Sequence, residues 1–133
     1  MDILFTLFLI IACYLLQRRV YFNFFENRER MYPQRIGGAF MDLLFFWHLV
    51  LFWAYFMYAS FNASDSKAYF DNSLAADTWF ELWGTDTKFI QWMAWPFVKF
   101  LGLSYFSTMM IFAYLGFNGI FLLYFSALEH VPH

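Results

Sequence analysis

The chain has 133 residues, of which 62% are hydrophobic, 27% are aromatic and only 14% are charged. Soluble domains carry about 25% charged residues, and a protein this small exposes a large share of its surface, so this composition excludes an ordinary water-soluble domain. The net charge of -2 offers no basic face for nucleic acid, and we expect none as a partner. The single cysteine, Cys13, excludes an intrachain disulfide and a cysteine-based metal cluster.

The distribution of apolar residues predicts an all-α integral membrane protein with about three transmembrane helices and a short interfacial or re-entrant helix. We expect one membrane domain over residues 1–133, surrounded by membrane lipids and packed against other membrane helices. The first span is predicted at about residues 3–19. Its apolar run, from Ile3 to Leu16, covers roughly 21 Å, less than the ~30 Å hydrocarbon core. Its ends must therefore snorkel, or the helix must continue towards Phe25.

Residues 17–38 are predicted to form a cytoplasmic loop. They contain five of the eight basic residues of the chain, namely Arg18, Arg19, Arg28, Arg30 and Arg35. Basic residues that flank spans are concentrated on the cytoplasmic side, so we expect the N-terminus to lie outside. The positive charges follow the first apolar run instead of preceding it, which indicates a retained span and not a signal peptide.

The second predicted span covers residues 39–61 and holds two ionisable residues, Asp42 and His48. Such groups are expensive inside a membrane and by default mark a function or a partner. For His48, a structural hydrogen bond to a carbonyl of a neighbouring helix competes with a functional role. For Asp42, pairing with a loop arginine is favoured over a proton relay. The two lie about 120° apart on a helix, so they form no ready-made dyad, and a transporter ranks last among the functions considered.

Residues 62–88 are predicted to form an outer loop that is rich in carboxylates and aromatic rings. Rings such as Trp83 can stack on a sugar while carboxylates accept hydrogen bonds from its hydroxyl groups, but an interfacial aromatic belt contains many of the same residues. Residues 89–100 are predicted to form an interfacial helix, because the segment is too short to span and Pro96 interrupts it. Its indoles, Trp92 and Trp95, favour headgroup depth.

The third span is predicted at residues 104–128 and carries small residues at a spacing of three, namely Ala113, Gly116 and Gly119. Small residues allow another helix to approach closely, and this packing role is favoured over an unwound ligand-binding turn. The chain has no phosphate-binding loop, zinc-protease motif or nucleophile elbow. The sequence therefore predicts neither a metal nor a cofactor.

The stretch from Ser64 to Tyr124 carries a series of short motifs. In order along the chain they are Asp65-Ser66 with Tyr69, Gly84-Thr85 with Phe89-Ile90, Pro96-Phe97, Leu101-Gly102-Leu103-Ser104-Tyr105, and Gly116-Phe117 with Gly119. Their order and spacing resemble those of bacterial multi-span polysaccharide polymerase-like membrane proteins, relatives of the O-antigen polymerases. The resemblance covers roughly the last half of the chain. It implies a role in polymerising or transferring lipid-linked glycans at the outer face of the cytoplasmic membrane.

The resemblance also implies a substrate in which an oligosaccharide is carried on a polyprenyl pyrophosphate. On that basis we expect Asp65 to be the catalytic carboxylate, with Ser66, Tyr69, Lys88 and Trp83 binding the substrate. Asp65 directly follows the second span, where a lipid-linked headgroup would emerge. Proteins of this kind have many more spans, so we expect the chain to be an N-terminal part. The alternative is a small non-catalytic subunit that packs within a larger membrane complex.

Overall fold

The computed structural model describes residues 2–26 and 38–130. Five α-helices occupy most of these ranges, namely α1 (Asp2–Glu26), α2 (Gly38–Phe61), α3 (Asp65–Ala75), α4 (Thr87–Trp95) and α5 (Tyr105–His130). A 3₁₀ turn (Trp79–Leu82) precedes α4, and a π-helical turn (Pro96–Phe100) follows it. The described ranges contain no strand, which confirms the predicted all-α class.

Three of these helices are long and apolar enough to cross a membrane, as predicted. The candidate spans are Leu4–Phe22, Ala39–Phe61 and Tyr105–Tyr124. They lie within α1, α2 and α5. The protein is therefore a multi-pass membrane protein by the length and composition of its helices.

Helix α1 continues past residue 19, which is one of the two alternatives that the sequence left open for the short first span. It continues through Glu26, so Gln17, Arg18 and Arg19 lie on the helix and not in a loop. The apolar and aromatic residues after Arg19 extend the hydrophobic length, and the 25 residues of α1 measure about 37 Å, enough to cross the hydrocarbon core. The rest of the predicted cytoplasmic loop, with Arg28, Arg30 and Arg35, lies outside the described residues.

Contacts between the three long helices fix their relative directions. Near the start of α1, the Thr6 Oγ1 lies 3.2 Å from the Ser107 Oγ near the start of α5. Farther along α1, Arg18 approaches Asp42, which is near the start of α2. Helices α1 and α5 therefore run in the same direction and α2 runs in the opposite one, so the start of α1 lies at the same end of the bundle as α3 and α4.

A small apolar core holds the three long helices together. It is centred on one buried residue from each helix, Cys13, Phe45 and Phe117. The rings of Phe45 and Phe117 meet edge to face at 5.9 Å, and Tyr14 packs on Phe45 at 5.5 Å. Most large apolar side chains on the outer faces of the bundle are exposed, as expected for surfaces that meet lipid.

The predicted outer loop is instead largely helical. Asp65 lies in the first turn of α3, where a carboxylate complements the helix dipole. Ser73 is fully buried, and its hydroxyl donates to the carbonyl oxygens of Tyr69 (2.7 Å) and Gln91 (3.0 Å). This bridge joins α3 to α4. The acidic and polar composition gave no signal of this helix, because the residue that α3 buries against α4 is the polar Ser73.

The predicted interfacial helix, residues 89–100, consists of α4 without its first two residues and of the π-helical turn. Pro96 has no N–H to continue the α-helical hydrogen-bond pattern, and α4 ends at Trp95. The chain then makes a wider turn in which the Leu101 N–H donates to the Pro96 carbonyl at 3.0 Å. Gly102 follows with a positive φ of 62°, which glycine adopts without strain, and α5 begins at Tyr105.

Candidate functional site

A large groove runs along the bundle between α2 and α5, beneath α3 and α4. Its volume is about 440 Å³, within the range of small-molecule sites. The walls are mostly apolar and aromatic, and they include Leu51, Phe52, Phe70, Met109, Phe112 and Ile120. On α5 the lining extends from Tyr105 to Ile120, which is about 22 Å of helix. We call this cavity the groove.

Four hydroxyl groups meet at the end of the groove nearest α3. Ser66 is at their centre, with its Oγ 2.9 Å from the Tyr105 hydroxyl, 3.2 Å from the Tyr55 hydroxyl and 3.3 Å from the Ser64 Oγ. These residues come from α2, α3, α5 and the segment before α3, so three helices position one small polar patch. We call it the hydroxyl cluster. The groove therefore has a polar end and an apolar body, a division that matches the polar head and apolar tail of an amphiphilic molecule.

Some of the residues singled out in the sequence come together in the groove. Ser66 and Tyr69 line it near the hydroxyl cluster, and His48, Ala113 and Gly116 line it farther along. Of these five lining residues, only Ser66 and Tyr69 were expected to bind substrate. The structure thus links them to the intramembrane histidine and to the small-residue stripe of the third span.

Asp65, the expected catalytic carboxylate, lies one residue before Ser66 but does not line the groove. Its side chain is exposed. The hydrogen bonds and ion pairs found among the described residues do not include it. Asp65 therefore stands at the outside of the hydroxyl cluster, with its carboxylate available to a ligand.

Lys88 and Trp83 belong to a different part of the molecule from Ser66 and Tyr69. Trp83 packs edge-on against Trp92 at 5.0 Å, while the aliphatic stem of Lys88 lies over Gly84, where an added Cβ would come within 3.0 Å of the Lys88 Cδ. Neither residue lines the groove. The five residues expected to form one substrate site are therefore separated: Ser66 and Tyr69 line the groove, Asp65 is exposed outside it, and Trp83 and Lys88 lie in the region of the 3₁₀ turn and α4.

Four indoles surround the junction of the 3₁₀ turn and α4. Trp79 stacks nearly parallel on Trp92, with ring centroids 4.8 Å apart and planes 10° apart, and its Nε1–H donates to the Trp92 carbonyl at 2.8 Å. Trp95 donates to the Ala76 carbonyl at 3.3 Å. We call Trp79, Trp83, Trp92 and Trp95 the tryptophan cluster. The sequence placed Trp92 and Trp95 at headgroup depth, and that depth stays a prediction.

Lys99 stabilises the end of α3. Its ammonium donates to the Leu74 carbonyl at 2.8 Å, next to the last residue of the helix, where cations are favoured by the dipole. Lys99 is therefore bonded to α3, whereas Lys67 and Lys88 are exposed to the surroundings.

His48 makes the structural hydrogen bond that the sequence offered as one of its two roles. Its Nε2 lies 3.0 Å from the Ala113 carbonyl oxygen on α5, and its ring packs on Phe117 at 5.1 Å. Because a carbonyl oxygen only accepts hydrogen bonds, Nε2 carries the proton. In the neutral ring the other nitrogen, Nδ1, is then an acceptor. His48 joins α2 to α5 and also forms part of the groove wall.

Asp42 pairs with an arginine, the role that the sequence favoured. Its Oδ1 lies 3.8 Å from the Arg18 Nε and accepts a hydrogen bond from the Tyr14 hydroxyl at 3.2 Å. Arg18 comes from α1 and not from a loop. Asp42 thus faces α1 while His48 contacts α5, and the two do not share a site.

The small residues of α5 play unequal parts. The Ala113 carbonyl accepts the hydrogen bond from His48, so this position does support a contact between α2 and α5. At Gly116 and Gly119 an added Cβ would meet no atom within 4 Å. The described chain therefore places no helix against the two glycines, and their packing against a helix of another chain stays a prediction.

Thr108 is a groove residue that the sequence gave no reason to select. It is only 4% exposed, and its Oγ1 has no hydrogen-bond partner in the structure. A buried hydroxyl without a partner is costly. Thr108 lies one turn along α5 from Tyr105, so the groove offers an unused polar atom beyond the hydroxyl cluster. A threonine in an uncharged span gives no sequence signal of this kind.

The side chains that line the groove can supply apolar contacts and hydrogen bonds to a ligand. The lining of the groove contains hydroxyls and one imidazole but no carboxylate and no lysine or arginine. Asp65 and Asp71, each one residue along α3 from a lining residue, lie outside the groove. Among the described residues, no group of three His, Cys, Asp or Glu side chains could hold a metal ion.

The chain matches no family model, no curated protein and no solved structure. Its function is therefore argued from its own residues and from the motifs between Ser64 and Tyr124.

Proposed function

We propose that the protein is a membrane component of surface-polysaccharide assembly that handles lipid-linked glycans at the outer face of a bacterial cytoplasmic membrane. The observation that carries the proposal is the meeting of Ser66 and Tyr69, two motif residues, at the polar end of an apolar groove about 440 Å³ in volume. A lipid-linked glycan has the same division into a hydrocarbon chain and a polar head. The hydroxyl cluster would take the junction between them.

In this proposal the hydrocarbon chain occupies the groove and the pyrophosphate lies above the hydroxyl cluster. No lysine or arginine lines the groove, which suits an uncharged chain. The exposed ammonium of Lys67, one residue after Ser66, is available to the pyrophosphate. Asp65, one residue before Ser66, is available to accept a proton from a sugar hydroxyl. The N-terminus would share the outer face with α3 and α4.

The test compares two exposed carboxylates of the same helix, Asp65 and Asp71, in cells that express the protein at a normal level. Asp65→Asn removes a proton acceptor and a charge-assisted hydrogen bond, so we expect a shorter surface-glycan ladder with an unchanged amount of protein in the membrane. Asp71→Asn is the matched control and should leave the ladder unchanged. A normal ladder in the Asp65→Asn strain would refute the role of Asp65.

A second pair of variants examines the groove end of the site. Ser66→Ala removes the centre of the hydroxyl cluster, whereas Ser60→Ala removes only a hydrogen bond to the Phe56 carbonyl within α2. We expect the first change to shorten the ladder and the second to leave it normal. Equal ladders in the two strains would contradict the proposed use of the cluster.

A non-catalytic subunit is the second candidate, and the open space above Gly116 and Gly119 favours it. Small residues without neighbours can accept a helix from a partner. Under this alternative, Gly116→Leu and Gly119→Leu would both release a co-purifying membrane protein. Under the first proposal, only Gly116→Leu affects the glycan, because Gly119 does not line the groove.

A further inference from the structure

Gln17 is a buried polar residue with no partner. It lies on α1 and is only 3% exposed, yet neither its Oε1 nor its Nε2 has a hydrogen-bond partner in the structure. A buried amide in this state is destabilising, and native chains rarely keep one without a reason such as a bound water. The groove and the hydroxyl cluster do not explain it, because Gln17 lies toward the other end of the bundle, next to Arg18.

Gln17 faces a small cavity between α1 and α2. The cavity has a volume of about 10 Å³, and its lining includes Tyr14, Arg18 and Asp42. This volume is about that of one water-sized probe, which is enough for a single water molecule. We call this cavity the α1–α2 notch.

The polar groups of the notch are suited to a water. The Asp42 carboxylate accepts one hydrogen bond at Oδ1 from Tyr14 and lies 3.8 Å from the Arg18 Nε through the same oxygen. A carboxylate has two oxygens with about four acceptor sites, so Asp42 keeps the capacity to accept another bond. The Gln17 Nε2 has protons to donate and no acceptor. A water between the Gln17 Nε2 and the Asp42 carboxylate would give the first an acceptor and the second another donor.

We propose that the α1–α2 notch holds one ordered water that accepts a hydrogen bond from the Gln17 Nε2 and donates one to the Asp42 carboxylate. The water extends the contact of Arg18, Tyr14 and Asp42 to a fourth side chain. It ties α1 to α2 and keeps Asp42 turned towards α1, away from the groove.

The first test is a double-mutant cycle on the full chain in detergent, with thermal unfolding as the readout. Gln17→Leu should lower the melting temperature by roughly 3 to 6 °C, and the loss should disappear in an Asp42→Leu background because that change removes both acceptor oxygens and with them the bridge. Gln17→Met, which changes the shape less, replaces Gln17→Leu if that variant does not fold. Additive effects, or a higher melting temperature for the Gln17 variant, would overturn the proposal.

The second test detects the water itself by radiolytic footprinting, in which a bound water oxidises the side chains next to it. Met41 lines the notch and is 4% exposed, while Met110 is 2% exposed and lies elsewhere. We expect oxidation of Met41 in the wild-type protein, reduced at least about tenfold in Gln17→Leu (~1.4 kcal/mol of water binding), with Met110 unmodified in both. Equal protection of the two methionines would overturn the proposal. It is the result expected if Gln17 contacts Asp42 directly, without a water.

Discussion

The α3–α4 region and the two spans beneath it, α2 and α5, differ in how tightly their side chains pack. Where α3 packs against α4 and the π-helical turn, Ser73 is completely buried and Ala94 and Val98 are each 3% exposed. The indoles of Trp79 and Trp95 add hydrogen bonds to the backbone carbonyls of Trp92 and Ala76. Between α2 and α5, by contrast, the groove leaves about 440 Å³ unfilled. We call the packed unit formed by α3, the 3₁₀ turn, α4 and the π-helical turn the cap. A packed cap above an open groove is the arrangement expected of a preformed site, because a rigid support holds the binding side chains in place.

The comparison predicts that substitutions in the cap mainly cost stability. Trp79→Ala should have the largest effect, about 3 kcal/mol, because it removes a parallel stack on Trp92 and an indole hydrogen bond. Phe80→Ala, at a ring that is 78% exposed, should cost no more than about 0.5 kcal/mol. Thermal unfolding in one detergent measures both variants, and equal losses would show that the tryptophan cluster does not stabilise the cap.

At the groove wall, the expected stability effect is smaller. His48→Phe keeps a ring against Phe117 but loses the hydrogen bond to the Ala113 carbonyl, and hydrogen bonds between membrane helices contribute about 0.6 to 1.7 kcal/mol. We expect a loss of about 1 kcal/mol in unfolding free energy. Trp47→Phe, at the neighbouring exposed position, is the control and should be nearly neutral. A His48 variant as stable as the control would remove the bond between α2 and α5 from this account.

One position in the cap should gain stability. Asp86 has a φ of 57° and makes no side-chain cap to α4, so its strained backbone has no compensating bond. Asp86→Gly should raise the unfolding free energy by about 1 kcal/mol. Asp71→Gly, within α3, should lower it by about 1 kcal/mol. If both changes destabilise the protein in urea titrations, the strain at Asp86 is absent.

The smallest stability effect is expected inside the groove. Gly116→Leu places a side chain where an added Cβ meets nothing within 4 Å, so the change in unfolding free energy should stay within about 0.5 kcal/mol. Gly119→Leu should behave alike. A large loss for Gly116→Leu alone, measured by thermal unfolding, would show that the space is needed for folding.

The sequence predicted the three spans well, because long apolar runs are a strong signal whatever the tertiary packing. It gave no signal of the helix within the predicted outer loop. There the helix α3 is masked by Asp65, Lys67 and Asp71, all exposed, while the buried contact depends on Ser73, a residue that gives no hydrophobic signal. For the first helix the sequence left two alternatives open, snorkelling ends or a continuation towards Phe25, and α1 takes the second by continuing to Glu26.

The site was predicted in part. Ser66 and Tyr69 were selected from the motifs and do share the groove, since they lie three residues apart on one face of α3. Lys88 and Trp83 were grouped with them from the resemblance and from the chemistry of the predicted outer loop, but they lie at the 3₁₀ turn and on α4, beside the tryptophan cluster. Tyr55 and Thr108 join the groove only through tertiary packing, which no local pattern encodes.

The central claim is that the groove holds the hydrocarbon chain of a lipid-linked glycan, and binding to purified protein tests it most directly. Native mass spectrometry would measure the complex with a polyprenyl-pyrophosphate-linked oligosaccharide for wild type, Gly116→Leu and Gly119→Leu. We predict that the wild type and Gly119→Leu bind alike, and that Gly116→Leu binds at least about tenfold more weakly, a difference of ~1.4 kcal/mol. Equal binding by all three proteins, or binding by none, would contradict the claim.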